Sequence, residues 1–542
     1  MRQAYSAEPN ASSKRSLAWL AALLLWLPGA NGWADDHGAL RAITTDGLGN
    51  PDNYGFHRLY QAQGYLFMPS GNWVEGAILY RSRDGENWQA VSPPGIDGDL
   101  ANDSIVSLAW FRDRLYVATY DFRAPGDNQN GGDIWRANAD AADPADIVWE
   151  NITKDAFGDP SIQAFVGFVV LKGHLYAGTF NLSGSEIFRT ATGDPGDWHH
   201  VSPRGMDDPA CSTDFHLNIT FGEHAYFGSE EANCLGARGG DIWRTNGDLK
   251  DGQRTLDGWE KVTAAPGFGH DWNNNIFGMD VFQGHFYAGT WTWTTPGAEI
   301  FRAPVIPPHE GVTPAPFEFE QVNESGWGDD RFNGNTSIVH LGDTLYVSGI
   351  DISGPGANGP GYFMRTSGAP ETGTTAEHLT TWTSMTAPGF PPSSGPGEFP
   401  GDGPYWLEVF RNKIYIAVEQ GGKGTAGRGQ LWVYEPSNVP KLAITRVTPV
   451  VYKGCKIRIR GTGFDDYQAD SQVLVDGAPV PVRKWTDTRI VAAVPIRPKI
   501  GPGLGKRMAV AVYKDGLTAD GGSIWVFPQS PWPAGCRALA RK

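Results

Sequence analysis

The chain has 542 residues, of which 40% are hydrophobic, 12% aromatic and 19% charged, with 70 Gly and 39 Pro. So many turn formers exclude a helical bundle or coiled coil, and 21 Trp with 26 Phe exclude disorder, because they supply ample apolar surface for a core. The net charge of −16 is unevenly placed: from Lys441 onward there are 17 Lys and Arg against 7 Asp and Glu, or +10, which leaves −26 for residues 1–440 and excludes nucleic acid as a partner of the long segment.

In chain order an export signal comes first. Lys14 and Arg15 precede the apolar run Leu17–Leu27, and the small residues Ala30, Gly32 and Ala34 follow, the order of a secretory signal over residues 1–34. The run is shorter than the roughly 20 apolar residues of a membrane span. A mature chain without a transmembrane segment is expected, secreted, periplasmic or at the cell surface. Four cysteines suit an oxidising compartment. They allow three connectivities, of which the local pairs Cys211–Cys234 and Cys455–Cys536 are expected.

Residues 35–439 repeat. One phrase runs WQAVSPPGI from Trp88, WHHVSPRGM from Trp198, WEKVTAAPGFG from Trp259 and WTSMTAPGF from Trp382, with an orphan copy, RAITTDGLG, at Arg41. A second recurs around Tyr116, Tyr176, Tyr226, Tyr287, Tyr346 and Tyr415, as in HLYAGTFN and HFYAGTWT. A third closes each unit, as DIWRA, EIFRT or EIFRA. Alternating strands separated by Gly-rich turns, at a Tyr-to-Tyr period of about 50 to 70 residues, predict four-stranded propeller blades. Seven copies predict seven blades. No fourth-strand phrase follows the seventh unit, so the orphan strand at Arg41 is expected to complete the last blade and remove its exposed edge. Arg81, Arg136, Arg189, Arg244, Arg302 and Arg365 occupy one repeated position and therefore read as scaffold.

The turn SRDGENW, Ser82–Trp88, resembles the Asp box of several propeller families but is one residue short. In those families the box folds a turn remote from the active site. No set of unrepeated arginines is found that would grip a sialic-acid carboxylate, and no copper-ligand motif of the galactose oxidase type can be placed.

Residues 440–527 form a second unit, ahead of a tail at 528–542. Pro449 in a first turn, Gly461 and Gly463 in a G-x-G-F turn, Val475-Asp476-Gly477 in a hairpin, and Pro495 follow the order of signals in the IPT/TIG family of immunoglobulin-like domains, which the segment resembles. The resemblance implies a β-sandwich serving as spacer, partner-binding module or support. The overall expectation is all-β: a seven-bladed propeller followed by an Ig-like sandwich.

In a four-stranded blade the loop into the innermost strand and the loop after the second strand share one face, around the mouth of the channel. Those two stretches are the variable ones here, and variable loops on a rigid ring are where ligands are expected. They supply His57, Asn181, Asn274, Trp291, Trp293 and Trp406 as candidate ligand-binding residues, and Asp121, Glu230, Asp351, Glu419, His216 and Tyr405 as candidate acids, bases or nucleophiles. Amides and carboxylates bond sugar hydroxyls while indole faces pack on pyranose rings, so the mixture favours a glycan or polysaccharide. Hydrolysis would use two carboxyl groups, one held protonated. Elimination would use His216 or His57 with Tyr405. The bland reading of each carboxylate is a solvated or loop-capping residue. No cofactor or metal-ligand spacing is identified, although Asp and Asn oxygens at the mouth would also suit Ca2+. The competing class is a noncatalytic envelope or adhesion protein that meets a protein partner through its loops or its IPT/TIG-like domain, as in plexin-like receptors.

Overall fold

The computed structural model describes residues 32–35, 38–120, 132–154, 156–234, 238–293, 296–308, 310–350, 361–367, 382–385, 390, 403–419, 429–452, 454–464, 471–494 and 506–527. Asp121, Asp351 and Cys536 lie outside them.

Among the described residues the chain up to Pro436 pairs into seven antiparallel units, each four-stranded except the seventh, to whose edge Gly32–Asp35 adds a fifth strand. The innermost strand is interrupted in blade 1 (Gly55–Phe56 and Tyr60–Ala62). It is continuous in blades 2 to 7, at Ser104–Phe111, Ala164–Leu171, Asp214–Phe221, Asn275–Phe282, Gly334–Leu341 and Gly403–Phe410. Each inner strand touches the next, and that of blade 7 touches that of blade 1, so the units form a ring. Gly38–Thr44 pairs antiparallel with Gln430–Pro436 and supplies the fourth strand of blade 7. Leu40, fully buried, packs there with Ile416, Trp432 and Tyr434.

The repeated residues link neighbours. Arg81 donates to the Ala139 carbonyl (2.6 Å), Arg136 to Gly193 (3.1 Å), Arg189 to Leu249 (2.6 Å) and Arg244 to Thr313 (2.8 Å), each in the following blade. Fourth-strand indoles reach the other way: Trp149 Nε1 donates to Val91 O (2.9 Å), Trp259 to Val201 O (2.7 Å) and Trp382 to Val322 O (2.9 Å). A charged donor bonded to a buried carbonyl is costly to orphan, which gives these four units a reason to keep the same Arg. The recurring Ala-Gly pair of the second strand also has a packing cause: a Cβ on Gly289 would lie 1.8 Å from Asn335 Oδ1 of the next blade.

The C-terminal unit is a two-sheet sandwich. One sheet runs Ala443–Val447, Lys456–Thr462, Arg489–Ala493, Val482–Thr486, and the other Val450–Tyr452, Leu517–Phe527, Lys506–Lys514, Gln472–Val475, Ala478–Val480. The sandwich meets the propeller at the turns between first and second strands of blades 1 and 7. Tyr513 Oη accepts from the Gly64 amide (3.2 Å) and donates to Gln61 (3.0 Å), and the Arg411 amide donates to Asp515 O (2.6 Å). Those turns lie on the face opposite the variable loops. Cys211 and Cys234 are bonded to each other, and Cys455 is also disulfide-bonded.

Leu40→Ala is expected to lower stability to chemical denaturation by about 2–5 kcal/mol, the cost of a truncated core leucine. Truncation through Thr44 should convert the protein to a self-associating species in sedimentation, because the Gln430–Pro436 edge would be bared.

Candidate functional site

Every inner strand is irregular near its mouth end. In blades 2 to 7 the register against the second strand shifts there, as between Ile105 and Ser107, Asp214 and Leu217, Ile276 and Gly278, or Pro404 and Trp406. In blade 1 the ladder breaks across His57, Arg58 and Leu59. A bulge re-aims the residue it displaces. The displaced residues include His216, Phe277 and Tyr405, and His57 and Arg58 fill the break in blade 1. The consequence is a convergent cluster. The His216 ring lies 4.1 Å from that of Phe277, Phe277 lies 6.1 Å from Tyr405, and Tyr405 lies 5.7 Å from His57.

Arg58 sits under this cluster, buried. Its guanidinium lies 4.5 Å over the Trp406 ring and donates to the His216 carbonyl (2.7 Å) and Ser107 Oγ (3.3 Å). Above it, His216 Nδ1 is 3.1 Å from Asp214 Oδ2. Asp214 pairs across the strand with Glu230, and Glu230 in turn bridges to Asn275 of blade 5. Glu419 makes the equivalent bridge from blade 7 to Gly55 of blade 1. Tyr54 stacks on Trp73 at 4.1 Å and bonds Ser104 Oγ (2.8 Å).

Burial dominates the protonation states. It raises Asp214, against the pull of Arg58, and pushes Glu230 up to about 8, helped by the charge of Asp214. Tyr405 is raised by burial and by Glu419, and so stays a phenol. Burial holds His216 well below the usual imidazole value, with Arg58 adding to the effect, and lowers His57 to about 4. Two neutral imidazoles, a phenol and a protonated carboxyl therefore surround one guanidinium at neutral pH. Perturbed groups gathered in one cluster are what an acid–base site requires.

Of the residues expected from sequence, His57, His216, Tyr405, Trp406, Glu230 and Glu419 come together at the mouth. Trp291 and Trp293 stand at its rim with rings 5.8 Å apart, the first 9% and the second 38% exposed, so Trp293 is the one that offers a face. Asn181 and Asn274 do not take the expected place. Both are fully buried with their amide nitrogens spent on their own surroundings, Asn181 on Ser161 (3.1 Å) and Asn274 on the carbonyls of Arg238 (3.0 Å) and Asp271 (3.3 Å). They are loop-capping residues, because an amide on a tight turn finds backbone partners first. Among the described residues no group of three or more His, Cys, Asp or Glu is placed to hold a metal ion, and no helix is long and apolar enough to cross a membrane.

Arg58 escaped the sequence reading. Its signal was present: the equivalent position in the other blades holds Ser107, Gly278, Ser337 or Trp406, so a cation there breaks the repeat.

The Cys211–Cys234 bond joins the two variable loops of blade 4, those entering Asp214 and leaving Glu230. Arg238 fastens the second of these to Asp241 (2.7 Å), Asp207 (3.1 Å) and Asp208 (3.3 Å). Replacing both cysteines by Ser is expected to cost about 3 kcal/mol in denaturant unfolding.

Residues 442–523 match the IPT/TIG domain family. No curated protein matches the chain. Among solved structures, the GH43 endo-arabinanase from Bacillus licheniformis is similar at 14% identity and a TM-score of 0.27, covering 51% of this chain and 97% of its own. Drosophila Semaphorin 1a, extracellular domains 1–2, is similar at 12% identity and 0.39, over 71% and 86%. GH43B of the Bacteroides ovatus xyloglucan locus is similar at 11% and 0.28, over 88% and 91%. None superposes closely enough to bear on the chemistry, and the conclusion that stands is that residues 442–523 are an IPT/TIG domain joined to a propeller.

Proposed function

We propose that the protein is exported, binds an acidic polysaccharide at the propeller mouth and cleaves it at a uronic acid by β-elimination. The observation that carries this reading is the cluster in which His216 and Tyr405 converge above the buried guanidinium of Arg58. Elimination needs a cation beside the uronate carboxylate, a base for the C5 proton and an acid for the leaving oxygen. Arg58 draws the carboxylate and acidifies the C5 hydrogen. Burial raises both Asp214 and Glu230, and the charge of Asp214 raises Glu230 further; when the proton is on Glu230 and Asp214 is ionised, Asp214 accepts from Nδ1–H of His216. The Nε2 lone pair then takes the C5 proton, the C4–O bond breaks as the C4–C5 double bond forms, and Tyr405 protonates the departing glycosidic oxygen. Trp293 offers a face for a neighbouring sugar.

The protonated Glu230 also admits the substrate. An acidic propeller would repel a uronate, yet its mouth carries a carboxyl that stays neutral up to about pH 8. Above that pH it ionises and opposes the substrate, so KM for a polyuronate should rise roughly tenfold between pH 7 and 9, the order of one like charge at a partly buried distance. Glu230→Gln should abolish that rise.

Hydrolysis is the second reading, favoured by the same high value of Glu230, an acid between blades 4 and 5 that would work with Glu419 between blades 7 and 1. The two separate cleanly. Incubation with polygalacturonate, alginate and neutral glucans is expected to yield new reducing ends together with absorbance from unsaturated products, on uronic substrates only. Tyr405→Phe should lose about 10²–10⁴-fold in kcat, as for removal of a general acid, while Glu230→Gln keeps turnover at pH 7. Reducing ends without absorbance, with the two variants exchanging their effects, would assign hydrolysis. The absence of both signals on every substrate would refute cleavage.

A further inference from the structure

The sandwich sheet Ala443–Val447, Lys456–Thr462, Arg489–Ala493, Val482–Thr486 contains no Asp or Glu in any of its strands. Its inner face is apolar: Ile457, Ile459, Ile490 and Trp485 are buried against the second sheet. Its outer face is cationic. Strict alternation along Lys456–Thr462 leaves Lys456, Arg458 and Arg460 exposed. Arg460 lies directly opposite Arg446 on one neighbour and Arg489 on the other, which sets three guanidinium groups in a row across the strands. Lys484 pairs with Val491, itself opposite Arg458, so it shares that face. Among the described residues no carboxylate bonds to any of these six side chains. Like charges directly opposite on a sheet oppose folding, by roughly 0.2–1 kcal/mol per pair. Among the described residues no carboxylate partner offsets that cost.

We infer that this face is a second binding site, for a polyuronate chain laid across the arginine row. Cross-strand neighbours repeat at about 4.8 Å, so Arg446, Arg460 and Arg489 form a linear cationic track along which the carboxylates on one side of an extended polyuronate can lie. Guanidinium forks match carboxylates in two-point geometry. The polarity is also right: the propeller is acidic and the sandwich basic, so a polyanion held by the protein is held on the sandwich. The choice of uronate over other polyanions rests on the proposed chemistry of the mouth. The cationic face itself does not.

The test is affinity electrophoresis of the full chain through gels containing polygalacturonate or dextran. Retention is expected in polygalacturonate only. The triple variant Arg446→Ser, Arg460→Ser, Arg489→Ser should lose it by about 100-fold in apparent Kd, from roughly fivefold per arginine at an anionic surface. The logarithmic salt slope should fall by about 2. Arg→Lys at all three positions should restore most of the retention, which separates lost charge from lost folding, and thermal melts check the fold. Unchanged retention in the triple variant would overturn the proposal, as would equal retention in dextran. Capture by anionic phospholipid vesicles without retention by polyuronate would overturn it in favour of a membrane. Self-association that disappears in the triple variant would overturn it in favour of a second copy of the chain. Failure of the mouth reading looks different: no unsaturated product from any uronate, with the gel retention intact.

Discussion

Closure of the ring governs everything at the mouth. Gly38–Thr44 must lie on Gln430–Pro436 before the inner strand of blade 7 is held beside that of blade 1, and only then do Tyr405 and Trp406 face His57 and Arg58. The contacts that maintain this arrangement are repeated and local: an arginine reaching one way, an indole the other, and glycines where adjacent strands come closest. A site built on such a ring inherits its stiffness. The bulges then do what regular strands cannot, re-aiming residues such as His216, Phe277 and Tyr405.

The electrostatics follow from that packing. Water is largely displaced from the cluster, so charged forms are disfavoured wherever a partner is lacking, and each group shifts toward neutrality. Burial lowers Arg58 as well, to about 10, yet it keeps its charge at neutral pH, caged by an indole face, a hydroxyl and a carbonyl. A neutral surround with one fixed cation concentrates the field where a substrate carboxylate would sit, more effectively than a mouth of fully ionised side chains would.

Much of the fold was legible in the chain because repetition writes the same constraint many times. The phrases around Tyr116 or Trp259 mark strands, and the missing final strand, with its orphan at Arg41, reveals the closure. The repeated arginines read as scaffold for the same reason. The site was less legible. His216, Tyr405, Glu230 and Glu419 could be nominated from their loops, but which of them meet depends on bulges, and a bulge has no residue code of its own. Asn181 and Asn274 belong to the ligand-like residue class yet serve their own turns, a distinction that lies in backbone geometry alone. Arg58 was hidden by its place in a strand that departs from the repeat.

The strand that finishes the ring has a consequence in time. Its residues are made well before those it pairs with, which lie nearly 400 positions later in the chain. Until the segment around Pro436 pairs with it, the strand lacks its partner and the ring cannot close, which leaves strand edges vulnerable to pairing with another chain. The Ig-like domain, which follows the closing strand in the chain, docks on blades 1 and 7 by way of Gly64 and Arg411, so that it staples the same seam from outside.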